Sequence, residues 1–221
     1  QENDIMAAQS FANIALRLQS ALIGESARMG QTPPIVAVLS LDVLKNYWAL
    51  HPEGGVTFSA FGDSGSAVVQ NGPCGAVLWM DPVPDSYRAI FGKFLQVHWG
   101  AITDLTRSGY DADHVYNRAR AKLYGYRLVR MFLVVQNVNR DHGSSYEMQI
   151  GKAERDRSVK IMKLLDGMSE LKTLGLPPVK NGLLTQEHYA AARQAATTYG
   201  IPVASAEQTL RAMYSRAHPD D

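Results

Sequence analysis

The chain has 221 residues, 46% of them hydrophobic and 19% charged, which is enough apolar surface to bury a core and excludes disorder as the main state. Its 22 basic and 21 acidic residues leave a net charge of +1, so it carries no electrostatic footprint for nucleic acid. A single cysteine excludes an internal disulfide and a cysteine-based zinc cluster. The length allows one sizeable domain or two small ones. The longest apolar runs, 35–41 and 128–135, are far shorter than the ~20 residues a membrane-crossing helix needs, and the second contains Arg130. The segment is therefore expected to be soluble, with room for membrane helices on either side in a parent protein. Its start at Gln1 rather than Met leads us to expect a processed product or an excised domain.

The first predicted element is a long amphipathic helix over 4–29. Phe11, Ile14, Leu18 and Leu22 form its apolar stripe, and Arg17, Gln19 and Glu25 lie away from it. Gly30 ends it, and Pro33-Pro34 prevents an immediate restart. The apolar run at 35–41 fits a buried strand or a short helix. Leu41, Leu44 and Trp48 then fall at helical spacing, which favours a helix over 41–49.

The stretch 56–80 reads differently. Val56, Phe58 and Ala60 alternate with Thr57, Ser59 and Phe61, the period of two of a strand. A polar, glycine-containing run at 62–66 and the Asn71-Gly72-Pro73 turn signal separate this from Ala67–Val69 and from the alternation around Val77 and Trp79. Two or three short antiparallel strands are expected, packed on helices because an isolated hairpin is marginal in water. Within the polar run, Gly62-Asp63-Ser64-Gly65-Ser66 differs by one residue from the GDSGG that surrounds a serine-protease nucleophile. A serine hydrolase using Ser64 is thus the alternative reading. That chemistry needs a histidine base and an acid to orient it. Only His51 precedes Ser64, and no strand-rich barrel precedes it in the sequence. Gly, Asp and Ser are also ordinary loop residues, so the loop reading is preferred.

After this stretch, Pro84-Asp85-Ser86 is expected to open a helix running to about Arg107, with Ile90, Phe94, Val97 and Ala101 on its buried stripe. A further helix is expected over 111–139, with Val115, Ala119, Tyr126, Val129, Leu133 and Val138 inward. Another is expected over 145–174. A Pro/Gly-rich linker at 176–184 divides a main domain, 1–175, from a helical hairpin at 185–221 that packs on it. The predicted fold is mainly α, five to seven amphipathic helices with a small antiparallel β-hairpin inserted at about 56–80.

Candidate chemistry is sparse. The six histidines show no metal-binding spacing, and no glycine pattern leads into a helix as a phosphate cradle requires. Asp111, Asp113 and His114 cluster at an expected helix start, where acids suit the helix dipole. Arg118, Arg120, Lys122, Arg127 and Arg130 are expected on one exposed basic face that pairs with acids of a partner or neighbour. No cofactor, no metal and no catalytic residue is assigned. The expected partner surface is the hairpin tip, Phe61, Asp63, Ser64, Ser66, Gln70 and Asn71, because polar loops on a rigid scaffold carry recognition.

One motif carries a family resemblance. Cys74-Gly75-Ala76-Val77-Leu78-Trp79, followed by a Pro-rich turn and a long predicted helix, resembles the central soluble region of the DotA/TraY family. Those are polytopic inner-membrane proteins of type IVB secretion and conjugation systems. Their strand of the form C-G-[small]-[apolar]-x-W falls here on Cys74, Gly75, Ala76, Val77 and Trp79, and the similarity extends over 56–121. The resemblance implies a periplasm-facing domain of a bacterial inner-membrane transport component that acts by protein–protein interaction and is not an enzyme. The implied partners are other secretion or conjugation components, or an entry-exclusion protein of the recipient cell. It also implies a membrane-embedded parent chain that can oligomerise.

Overall fold

A computed structural model describes residues 10–28, 33–51, 55–62, 65–101, 104–144, 160–178, 185–190 and 193. The strands of 56–80 are three in number and belong to a much larger sheet. They are β2 (Thr57–Phe61), β3 (Ala67–Gly72) and β4 (Gly75–Met80). With β1 (Ile35–Val38), β5 (Tyr110–His114), β6 (Leu128–Val135) and β7 (Met162–Leu164) they form a seven-stranded sheet. The order is β2-β3-β4-β6-β1-β7, with β5 beside β6. The pairings β2–β3, β3–β4, β4–β6, β6–β1 and β1–β7 are antiparallel. The helices named below are α1 (Phe11–Arg28), α2 (Leu41–Ala49), α3 (Tyr87–Trp99), α4 (Arg118–Leu123), α5 (Gln136–His142) and α6 (Gly167–Thr173), and residues 186–190 are helical as well.

The expectation of a mainly α fold with a small hairpin is therefore wrong. The chain is mixed, and its antiparallel sheet curls into a half-barrel. The error lies chiefly in 111–139. That span is not one helix but β5, the short helix α4, β6 and α5. Asn117 caps α4 by accepting from the backbone N–H groups of Ala119 and Arg120, and Gly125, at φ +72°, marks the turn after it. Leu128–Val134 is buried throughout because β6 lies inside the sheet, covered on both faces. Such a strand reads as an unbroken apolar run in which any period finds matches.

Other expected elements shift for local reasons. α3 ends at Trp99, not near Arg107, because Gly100 takes a left-handed conformation and its N–H returns to the Leu95 carbonyl. Its buried face is Tyr87, Phe91, Phe94, Leu95 and Trp99, whereas Val97, expected inward, is 54% exposed. Part of the expected helix at 145–174 is the strand β7, and 145–159 lie outside the described residues. α2 occupies the place read for it, α1 covers 11–28 of the 4–29 read for it, with 4–9 and 29 outside the described residues, and β1 takes the strand alternative. Ser40 caps α2 through the Val43 N–H.

The chain divides into two compact units, Gln1–Val134 with Ser158–Leu164, and Val135–Arg157 with Leu165–Asp221. The expected linker falls inside the second, with 179–184 outside the described residues. In the first unit, a core cluster joins Ile35, Val38, Leu44, Val68, Val77, Trp79 and Leu128, with Phe58 and Tyr47 packed against it. The stripe read for α1 is buried as expected. In the second unit, Asp166 caps α6 through the Ser169 N–H. There the buried His142 and His188 bond the carbonyl oxygens of Leu176 and Pro177, at 2.8 and 3.0 Å.

Candidate functional site

β2 terminates the sheet, and its pairing with β3 fixes which of its backbone groups face outward. The Pro73-Cys74 turn joins β3 to β4, with Gly72 opposite Gly75. A two-residue turn closes on a hydrogen-bonded pair, so Gly72–Gly75, Gln70–Val77 and Val68–Trp79 are the pairs that exchange bonds. The Asp81 N–H donating to the Ser66 carbonyl at 2.8 Å continues the same alternation. Ala67, Val69 and Asn71 therefore turn their backbone groups toward β2, where they meet Phe61, Ser59 and Thr57. The N–H and C=O groups of Phe58 and Ala60 are left pointing away from the sheet.

Among the described residues, this edge lacks the usual protection. Thr57-Phe58-Ser59-Ala60-Phe61 contains no charge and no proline, and Thr57, Ser59 and Ala60 are exposed. Natural sheets usually blunt an edge with lysine, proline or a bulge, because an open ladder recruits another strand. The two phenylalanines lean onto opposite faces. Phe58 packs on the core cluster, and Phe61 sits edge-on to Phe94 with ring centroids 6.0 Å apart.

The residues expected to form one tip are divided. Phe61 and Ser66 flank the β2–β3 connection, while Gln70 and Asn71 lie toward the opposite end of β3. Gln70 is buried, and its Oε1 accepts from Trp79 Nε1 at 2.9 Å. Asp63 and Ser64 lie outside the described residues. Gly62 and Gly65 on either side of them have positive φ, +74° and +63°, a conformation that favours glycine.

The family-like motif is structural in its placement. Trp79 is fully buried in the core cluster. Gly75 has φ +105°, and a Cβ there would stand 2.7 Å from Trp99, so only glycine lets that ring cover the turn. Trp99 Nε1 donates to the Ala76 carbonyl at 3.2 Å, and the Arg17 guanidinium lies 4.8 Å from the Trp99 ring centroid. Cys74 is a half-buried free thiol, close to Gly24 of α1.

The charges expected on one basic face are dispersed. Arg118 binds the Pro82 and Val83 carbonyls and the Asp85 carboxylate, and that contact lowers the Asp85 pKa. Arg120 is buried on α4. Arg130 is 1% exposed on β6, and its Nη1 donates to Glu25 Oε2 at 2.5 Å. Glu25, expected on the polar side of α1, is thus buried too. Burial, with Glu25 as a second cause, pushes the Tyr47 hydroxyl up to about 12. The one early signal of this pair was an arginine within the apolar run 128–135.

Asp111, Asp113 and His114 lie on β5 rather than at a helix start. The buried His114 faces Tyr87 with ring centroids 4.8 Å apart. Burial holds the Tyr87 hydroxyl above its ordinary range; Asp113 and Asp111 push the same way, Arg88 and Arg118 against it. Among the described residues, no three or more His, Cys, Asp or Glu side chains are placed to hold a metal, and no helix is long and apolar enough to cross a membrane.

His98 completes the aromatic group beneath β2, 5.0 Å from Phe94 and 5.8 Å from Phe61 between ring centroids. Burial lowers its pKa from the ordinary 6.5. The neutral ring is the folded form, so stability is complete above 6.5 and falls as the pH drops from there through the lower folded value. Urea unfolding of His98→Leu between pH 7 and 5 should show a flatter decline than the wild type. Equal slopes would remove His98 from the acid response.

Comparison with protein-family models, curated proteins and solved structures returns no match.

Proposed function

We propose that this chain is a protein-interaction domain, the periplasm-facing part of a DotA/TraY-like component of a type IVB secretion or conjugation machine, and that it engages its partner by strand addition at β2. The partner strand comes from a component of the machine, further copies of this chain included, or from an entry-exclusion protein. The resemblance of the Cys74–Trp79 strand supports the family. The observation that carries the mode of action is the uncharged, proline-free edge with the Phe58 and Ala60 backbone groups directed outward. In strand addition, main-chain bonds supply affinity and alternate side chains supply choice of partner.

Ala60→Pro tests this directly. Proline deletes an N–H that the sheet does not use, and an edge strand accepts proline where its N–H faces outward. Folding stability should stay within about 1 kcal/mol of the wild type, since no ladder bond to β3 is lost. An incoming strand would lose one bond and meet the ring. In cells whose machine contains the variant at normal level, transfer of DNA or protein cargo should fall about tenfold or more, the equivalent of about 1.4 kcal/mol in binding. Undiminished transfer by a folded Ala60→Pro protein would overturn the assignment.

A further inference from the structure

We infer that the strand added at β2 belongs to a second copy of this chain, paired antiparallel about Ser59. This rests on the strand-addition reading and names its occupant. The outward groups are the N–H and C=O of Phe58 and of Ala60. When two copies of β2 run antiparallel with Ser59 at the twofold axis, Phe58 of each copy stands opposite Ala60 of the other. Each such pair is a hydrogen-bonded one, so four bonds form and no outward group in the strand is left over. Ser59 meets its own counterpart in the closer, non-hydrogen-bonded position.

The side chains suit this register as well as the backbone does. Phe58 stands across from Ala60 on one face, and Phe61 across from Thr57 on the other, so each large ring meets a small side chain. Shifting the centre onto Phe58 would oppose that ring to itself, and centring on Ala60 would put Phe58 opposite Gly62. Only the Ser59 centre pairs both rings with small residues inside the strand. Thr57–Phe61 holds no charge, so no like charges face each other across the axis. A twofold contact is isologous, the same strand serving on both sides, and is the commonest symmetry of soluble assemblies. Five residues per side make a small contact. The isolated domain is therefore expected to dimerise weakly, and the pairing to be reinforced where a membrane concentrates the copies.

Cysteine crosslinking reads the register. In a Cys74→Ala background, which removes the only native thiol, Ser59→Cys places two thiols on residues with Cα atoms about 4.5 Å apart, inside the disulfide range. Thr57→Cys places them four residues out of register, about 13 Å apart and beyond reach. Mild oxidation of the purified domain should link Ser59→Cys into dimers about tenfold faster than Thr57→Cys. Adding Ala60→Pro to Ser59→Cys should abolish the difference. Sedimentation of the wild-type chain at high concentration should show a dimer that Ala60→Pro removes, a measurement that needs no cysteine variant.

Equal crosslinking at positions 57 and 59, or a wild-type chain that stays monomeric, would overturn the second-copy assignment. If Ala60→Pro nonetheless lowers transfer, strand addition stands and the strand comes from a different protein. If Ala60→Pro changes neither dimer nor transfer, both assignments fall.

Discussion

Replacing Arg130 with methionine should destabilise the first unit by about 3–5 kcal/mol, read as a lower urea midpoint at unchanged slope. Arg130 and Glu25 are both nearly inaccessible, 1% and 5% exposed, and one hydrogen bond of 2.5 Å joins them. Removing the guanidinium leaves a carboxylate in the interior without its countercharge. That loss exceeds the net worth of the pair, because taking two ions out of water consumes most of their attraction. Glu25 Oε1 and Arg130 Nε lack hydrogen-bond partners, so this pair is incompletely compensated. The double variant Glu25→Leu, Arg130→Met should therefore recover most of the loss and lie within about 1–2 kcal/mol of the wild type. A double variant as unstable as Arg130→Met alone would show that packing, and not the orphaned charge, sets the effect. Dimerisation through β2 should survive in the double variant, since β2 is separated from β6 by β3 and β4.

The same pair shows where the sequence was legible and where it was not. The α1 stripe Phe11, Ile14, Leu18 and Leu22 was readable because a helix with one wet face imposes a period of 3.6. The alternation at Val56–Phe61 was readable for the matching reason in a strand with two distinct faces. β6 was not, because burial on both faces erases the alternation and leaves only composition. With 128–135 read as helix, the sheet has no centre, and β1, β4 and β5 lose the strand they share as a neighbour. Glu25 falls one turn beyond the apolar stripe of α1, and local pattern alone does not distinguish a solvated glutamate from one facing an arginine 105 residues away. β2 was recognisable as a strand, yet its position at the sheet edge follows from strand order, a long-range property. The split of Phe61 and Ser66 from Gln70 and Asn71 follows from three strands replacing one hairpin.

Trp79→Ala should cost about 3–5 kcal/mol, and the smaller change Trp79→Phe should separate packing from hydrogen bonding. Trp79 is fully buried among Val38, Leu44, Val68 and Val77, so truncation to alanine opens a cavity that fixed strands cannot close. Phenylalanine fills most of that space but removes the N–H that Gln70 Oε1 accepts at 2.9 Å. Gln70 is 4% exposed, and its stranded oxygen should make Trp79→Phe cost about 1–3 kcal/mol. Adding Gln70→Leu to Trp79→Phe removes the stranded acceptor and should return part of that loss. No recovery would mean that ring shape alone decides the site. Trp79 also stands opposite Arg130 in the β4–β6 register, so Trp79→Phe and Arg130→Met should be non-additive by 0.5 kcal/mol or more, roughly the coupling seen between contacting residues. β2 reaches the rest of the sheet through β3 and β4 alone, the strands that Gln70 and Trp79 tie together. Trp79→Ala should therefore also slow Ser59→Cys crosslinking, whereas Glu25→Leu, Arg130→Met should not. That contrast places the support of the β2 edge in the β3–β4 hairpin and not in the buried charge.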